Sequence, residues 1–217
     1  MKIALALTIC VLRAVLLFGV GMAVVAPALL GGELDPGTVR GALVLGLILV
    51  LDAGLTVGVG LLLVAKVGLR ELGWRFDDAL VDVARGVIGF AFCAGAVMLG
   101  LFIATGSIPF ADVRASIVET PLEMRFLYVG IGVSAAFIEE SLYRGYLQPA
   151  LIARLGLVAG IVVTAILFDV LHLNFRPASL VAKLGIGLVL GVLRGRDRSL
   201  LAPAVAHGLV WAVFGFS

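Results

Sequence analysis

Charged side chains are scarce in this chain. Only 14% of its 217 residues are charged, whereas 62% are hydrophobic, and the mean hydropathy is +1.22. A soluble domain typically has about 25% charged and about 45–50% apolar residues, and a soluble chain of this length would still expose a large area to water. The composition therefore excludes an ordinary soluble domain and predicts an integral membrane protein surrounded by lipid.

Two other features of soluble or secreted proteins are also lacking. The net charge is only +2, and the basic residues are scattered between apolar runs, which argues against a nucleic-acid partner. The two cysteines, Cys10 and Cys93, lie inside apolar runs, where they are expected to pack as free thiols rather than form a disulfide.

Long apolar runs are abundant, and they are continuous rather than alternating. Lipid admits only helices or closed barrels, so these runs predict helices, most of them long enough to cross a hydrocarbon core of about 30 Å. The predicted fold is all-α, a polytopic transmembrane bundle of about seven (six to eight) spanning helices. The predicted spans are Ile3–Leu30, Gly41–Val67, Val87–Thr105, Phe126–Ala150, Leu155–Leu173, Ala178–Leu193 and Leu200–Phe216.

Basic residues between the runs predict the orientation. In a seven-span chain, Lys2, residues 66–85, Arg154 and residues 194–198 fall on one side, which carries more Lys and Arg than the other. Basic loops tend to stay in the cytoplasm, so the N-terminus is predicted to be cytoplasmic. The chain is rich in Ala, Gly, Val and Leu and shows no soluble domain, which is typical of a prokaryotic plasma-membrane protein.

Two adjacent carboxylates and an arginine interrupt the fourth apolar run. Ionisable groups inside a span are costly and therefore point to function. Glu140 and Arg144 are four residues apart, share a helix face and are predicted to form a partly buried ion pair. Glu139 is rotated by about 100° and has no such intrahelical partner, so it is a candidate base that takes a proton from water. The alternative is a purely structural charge network.

Histidine is rare in this chain, and its two histidines both lie in apolar runs. A single buried histidine is more often structural, but His172 and His207 accompany the double glutamate. Together these residues supply what peptide hydrolysis needs, namely a base, a second acid–base group and a donor for an oxyanion. Phe168 lies one turn before His172 and is predicted to pack against its ring.

Three single charges also lie in apolar runs. Arg13 and Asp52 are predicted to form a structural pair between the first two spans. Asp169, three residues before His172, is a candidate for orienting that histidine.

The order and spacing of these motifs resemble one family. Glu139-Glu140-x-x-x-Arg144, Phe168-x-x-x-His172 and a histidine in the last run resemble the CPBP family, intramembrane proteases that include CAAX prenyl protease 2 and bacteriocin-processing (Abi) proteins. The resemblance covers roughly 126–216. It implies N-terminal helices with an interfacial segment over 1–122 and a catalytic core over 123–217. It also implies endopeptidase activity on membrane-associated or lipidated substrates.

The resemblance implies a role for each motif residue. Glu139 would activate the water with help from His172, and His207 would help to hold the oxyanion. Glu140 and Arg144 would order the site. The expected partners are then membrane lipid and a peptide or membrane-protein substrate.

One position departs from the family pattern. The family usually has asparagine four residues after the last histidine, whereas this chain has Trp211. An indole N–H is a donor, but its reach and bulk differ from those of an amide. Asn174, the only asparagine in the chain, lies near His172 and is the alternative supporting donor.

No cofactor is favoured, although zinc is possible. Glu139, His172 and His207 would be the ligands, but the His-Glu-x-x-His pattern is lacking and the family also supports a metal-free mechanism. Two other functions remain open. One is a non-catalytic bacteriocin self-immunity or membrane scaffold protein of the same fold. The other is a transporter or proton relay, although such proteins more often show internal repeats or paired broken helices.

Overall fold

A computed structural model describes residues 2–20, 39–108, 110–197 and 199–214. Every regular element in these ranges is helical, which confirms the all-α fold. The helices are α1 Lys2–Val20, α2 Val39–Ala53, α3 Leu69–Leu72, α4 Ala79–Thr105, α5 Phe110–Glu119, α6 Leu122–Glu139, α7 Gln148–Leu155, α8 Leu157–Val170, α9 Pro177–Asp197 and α10 Leu201–Phe214. Two wider π-helical segments, π1 Gly54–Val64 and π2 Glu140–Leu147, extend α2 and join α6 to α7.

The apolar runs form helices of two lengths. Among the described residues, four helices are long and apolar enough to cross a membrane, namely Gly46–Val64, Ala79–Thr105, Met124–Leu155 and Pro177–Arg196. Three shorter apolar helices are Ile3–Leu17, Leu157–Val170 and Leu201–Phe214. All seven lie where spans were predicted, as a polytopic helical membrane bundle requires. The predicted extension of the first span to Leu30 falls outside the described residues.

Several predicted span boundaries were wrong. The fourth span was predicted to end at Ala150, but its helix continues to Leu155. The fifth span was predicted to run to Leu173, but α8 ends at Val170 and the chain turns, with Leu173 at a φ of 54°. His172 therefore lies in the turn after α8. The third span begins at Ala79 rather than Val87, because the first turn of a helix accepts an acidic side chain such as Asp82.

Glycines let α4 approach its neighbours closely. A Cβ built on Gly86 would lie 2.6 Å from the Cβ of Val205 on α10, and one built on Gly100 would lie 2.5 Å from the carbonyl oxygen of Ala178 on α9. Small residues allow such contacts between helices in a membrane, where van der Waals packing holds helices together. These two glycines therefore seat α4 against the C-terminal helices.

The centre of the bundle is π2, in which all eight residues are buried. Apolar side chains from α1, π1, α3 and α8 surround it. Arg194 of α9 donates from Nε to the carbonyl oxygen of Arg144 at 3.0 Å and from Nη2 to that of Leu72 at 3.1 Å. The end of α9 thereby ties α3 to the central π-helical turn.

Candidate active site

The two glutamates lie where α6 passes into π2. Glu139 is the last residue of α6 and Glu140 the first of π2. Glu140 Oε1 lies 3.2 Å from Nη1 of Arg144, so the predicted ion pair is present. It was expected to be partly buried, but both side chains are fully buried. A buried pair needs further hydrogen bonds, and Arg144 Nη2 donates to the carbonyl oxygen of Gly187 at 3.3 Å.

His207, on α10, is anchored by the same carboxylate. Its Nδ1 lies 2.8 Å from Glu140 Oε1. A carboxylate of this kind accepts rather than donates, so Nδ1 carries the proton and Nε2 of the neutral ring has a free lone pair. Glu140 therefore fixes both the tautomer and the direction of the His207 ring.

His172 is anchored by backbone instead. Its Nδ1 donates to the carbonyl oxygen of Phe168, one turn earlier, which again leaves Nε2 with the free lone pair. The predicted ring contact is confirmed, because the Phe168 and His172 centroids lie 4.6 Å apart. Asp169, the candidate for orienting His172, is buried with Oδ1 unbonded among the described residues, and it interacts electrostatically with Lys183 and with His172. Its orienting role stays a prediction.

Phe168 contacts the other anchored groups as well. The guanidinium carbon of Arg144 lies 4.3 Å from its ring centroid, a cation–π distance. The ring centroids of Tyr143 and His207 lie 5.3 and 5.9 Å from the centroid of Phe168, and both contacts are edge-to-face. One buried ring therefore packs against both histidines and the arginine of the ion pair.

The free nitrogens of both histidines meet at Glu139. Nε2 of His172 and Nε2 of His207 each lie 3.7 Å from Glu139 Oε2. The predicted convergence of these three side chains is confirmed. With neutral rings and an ionised carboxylate, the three atoms facing one another are all acceptors, so a proton or a water molecule is needed between them.

Glu139 was predicted to have no ion-pair partner on its own helix, and its partner in the structure comes from α1 instead. Nη2 of Arg13, on α1, lies 3.0 Å from Glu139 Oε1. The predicted pair with Asp52 also exists, since Arg13 Nε contacts Asp52 Oδ2 at 2.9 Å and Oδ1 at 3.2 Å. Thr56 Oγ1 in turn donates to Asp52 Oδ1 at 2.7 Å. An arginine in an apolar run was the available signal, but it was assigned only the acidic partner nearer in sequence.

The two predicted supporting donors make other contacts. Asn174 is exposed, and its Oδ1 accepts from the backbone N–H of Arg176 at 3.3 Å, just before α9. Trp211 packs in an apolar cluster, with its Cβ against Gly132. Gly132 lies two turns before Glu139, about 10 Å along the helix. The oxyanion role of Trp211 therefore stays a prediction.

The residues around Glu139 fit a metal ion poorly. Among the described residues, no group of three His, Cys, Asp or Glu side chains is arranged to hold a metal. The carboxylate of Glu139 already faces the guanidinium of Arg13, and a second cation beside it would be repelled by that charge. The preference for metal-free chemistry stays a prediction.

An apolar groove lies beside Arg13, the residue of α1 that contacts Glu139. It has a volume of about 440 Å³ and lies between α1 and the α2–π1 helix. Its lining is leucine, isoleucine, valine and glycine, apart from Arg13, Asp52 and two threonines. The arginine that contacts Glu139 is therefore one of the few polar residues that line the groove.

Comparison with known proteins gives one match. Residues 121–213 match the family model described as type II CAAX prenyl endopeptidase Rce1-like. The segment contains every motif residue from Glu139 to Trp211 and confirms the family resemblance drawn from them. No curated protein and no solved structure matches the chain.

Proposed function

We propose that this chain, whose residues 121–213 match the Rce1-like family model, is an intramembrane endopeptidase that hydrolyses membrane-associated or lipidated substrates. One observation carries the proposal: Nε2 of His172 and Nε2 of His207 both lie 3.7 Å from Glu139 Oε2. A base flanked by two anchored imidazoles is suited to moving protons to and from one water molecule.

In the proposed reaction, Glu139 removes a proton from water while the water oxygen attacks the scissile carbonyl carbon. The carbonyl oxygen becomes an oxyanion, and the carbon–nitrogen bond then breaks as the proton passes from Glu139 to the leaving amine. His172 assists as the second acid–base group. Since it faces Glu139 but is only half-buried, it lies on the more open side of the carboxylate.

His207 is proposed to hold the oxyanion in its protonated form. Glu140 lies behind Nδ1 and would stabilise the imidazolium, as a carboxylate does behind the histidine of a serine protease. Three carboxylates and two guanidinium groups leave the cluster one net negative charge, which an imidazolium neutralises. A protonated Nε2 then donates to the developing charge.

The surroundings support a substrate that arrives through lipid. The groove beside Arg13 is lined mostly by apolar side chains, and Arg13 contacts Glu139. We propose that a peptide or a membrane protein enters there. The apolar helices and the family indicate an integral membrane protein, for which we propose the prokaryotic plasma membrane, with the N-terminus in the cytoplasm.

Replacing the base tests the proposal. Glu139→Gln keeps the shape and an acceptor for Arg13 but removes the basic carboxylate. Cleavage of a fluorogenic membrane-peptide library by the purified protein should fall by about 10²–10⁴-fold, the usual share of general-base catalysis, while the thermal melt in detergent shifts little. Full cleavage by this variant would contradict the mechanism.

Two further results would redirect the proposal. If cleavage by the wild-type protein is lost on adding a chelator, a metal takes part and the metal-free mechanism is wrong. If the wild-type protein cleaves nothing and Glu139→Gln retains its cellular phenotype, the protein is a non-catalytic self-immunity or scaffold protein of the same fold.

A further inference from the structure

We infer that Arg13 is a positioning residue of the proposed peptidase: held by Asp52, it fixes one carboxylate oxygen of Glu139 so that the other faces both histidines. The inference rests on the function proposed above for the Glu139 site. It assigns a role in that site to the first helix, which lies outside the segment matched by the family model.

The contacts divide the Glu139 carboxylate into two halves. Oε1 accepts from Arg13 Nη2 at 3.0 Å, whereas Oε2 faces the two histidine nitrogens. Both nitrogens lie 3.7 Å from Oε2, beyond hydrogen-bond distance, so they do not hold the carboxylate in place. Within the described part of the chain, Arg13 is therefore the donor that fixes the orientation of Glu139.

Arg13 is itself held rigidly. Its Nε contacts both oxygens of Asp52, and Asp52 accepts from Thr56 one turn further along. The guanidinium group is planar, so fixing Nε on Asp52 fixes the direction of Nη2. Arg13 and Asp52 are only 8% and 6% exposed, which keeps competing water away from the pair.

A purely structural pair would need only Arg13 and Asp52. The guanidinium group instead spans three helices, from α1 to Asp52 on α2 and Glu139 on α6. An ion pair that merely neutralised Asp52 would have no need of the third contact, and the third contact falls on the proposed base. The geometry therefore points to a role in catalysis as well as in folding.

The test removes both charges of the pair together. Arg13→Met alone would leave Asp52 charged and unpaired in the interior, and the protein could fail to fold for that reason. Arg13→Met combined with Asp52→Asn avoids this and leaves the net charge of the cluster unchanged. The matched control is Arg70→Met with Asp77→Asn, which neutralises an exposed pair 3.9 Å apart.

For the double variant at Arg13 and Asp52, we expect kcat to fall by about 10²-fold, the usual cost of a misplaced catalytic group, with KM within about twofold. The control should match the wild type. Arg13→Lys, which keeps the positive charge but loses the planar guanidinium group, should retain intermediate activity. A wild-type kcat in the folded double variant would overturn the inference while leaving the peptidase assignment intact.

A second measurement does not depend on activity. Dicyclohexylcarbodiimide labels protonated carboxyl groups in apolar surroundings, and a buried carboxylate that loses its cation tends to take up a proton. Labelling of Glu139, located by mass spectrometry, should rise in the double variant and stay at the wild-type level in the control. Equal labelling in all three proteins would overturn the inference. A rise without peptide cleavage by the wild type would support the contact and refute the peptidase.

Discussion

Phe168 makes contacts that its place in a motif does not reveal. A spacing of four residues predicted one neighbour, His172, but the ring also packs against Arg144 and His207. Aromatic and cation–π contacts have preferred geometries that an aliphatic side chain of similar size cannot reproduce. Phe168 therefore contacts groups on three different parts of the bundle.

We expect Phe168→Leu to weaken folding and catalysis together. The variant keeps most of the apolar volume but loses the ring contacts, which should lower the free energy of unfolding by about 1–3 kcal/mol. Cleavage should fall because His172 loses the surface against which it packs. Thermal melts in detergent and peptide-cleavage rates measure both effects, with Phe126→Leu, at an exposed phenylalanine, as the control. Unchanged cleavage would show that Phe168 does not position His172.

The Glu140–Arg144 pair gives a second prediction for single residues. Arg144→Ala leaves Glu140 charged in the interior, with His207 as its remaining partner among the described residues, and should destabilise the protein by about 3–5 kcal/mol. Arg154→Ala, at an exposed position on α7, should have little effect. A thermal melt in detergent compares them. Equal melting temperatures would mean that the pair does not form in the folded protein.

At the scale of helices, the packing of α4 rests on its glycines. Gly86→Ala would place a methyl group 2.8 Å from the carbonyl oxygen of Ala202, and Gly100→Ala would place one against the backbone at Ala178. Each should lower the melting temperature, because the neighbouring backbone cannot move aside easily. Gly95→Ala on the same helix meets nothing within 4 Å and should be neutral or slightly stabilising. The same loss in all three variants would contradict this packing.

Helix positions were largely predictable from the sequence, whereas helix type was not. In lipid, the backbone N–H and C=O groups of an apolar run must form hydrogen bonds within that run, which requires a helix. All seven runs form helices. The π-helical geometry of π2 was not predicted, because an apolar run has no periodicity that separates π from α turns. The end of α8 was missed for a similar reason, since Leu171 and Leu173 extend the apolar run through a turn.

At the scale of the whole molecule, the orientation stays a prediction. Asp77 and Ser107 are both exposed and lie at opposite ends of α4. If the basic loop before α4 is cytoplasmic, a membrane-impermeant maleimide applied to intact cells should label Ser107→Cys and not Asp77→Cys. Cys10 and Cys93 are buried and should not react with the maleimide. The opposite labelling pattern would reverse the predicted orientation.

The arrangement of the site was only partly predictable. The meeting of Glu139, His172 and His207 followed from motifs whose order and spacing resemble a known family. The contact between Arg13 and Glu139 joins residues 126 positions apart, and neither hydrophobic periodicity nor local spacing carries information about such a contact. An arginine in an apolar run shows that a partner exists, but not which of several acidic residues it is.

The link between Arg13 and Asp52 has a consequence for how the protein is made. An arginine near the centre of a helix costs about 2.5–3.5 kcal/mol on insertion scales, and α1 is synthesised long before Glu139. Asp52, on the next long helix, is the first acidic partner in the described chain that can meet Arg13 in the bilayer. Because Asp52 precedes Glu139 along the chain, it can stabilise the newly inserted first helix early. Arg13 is then held in place until the helix that carries Glu139 is inserted.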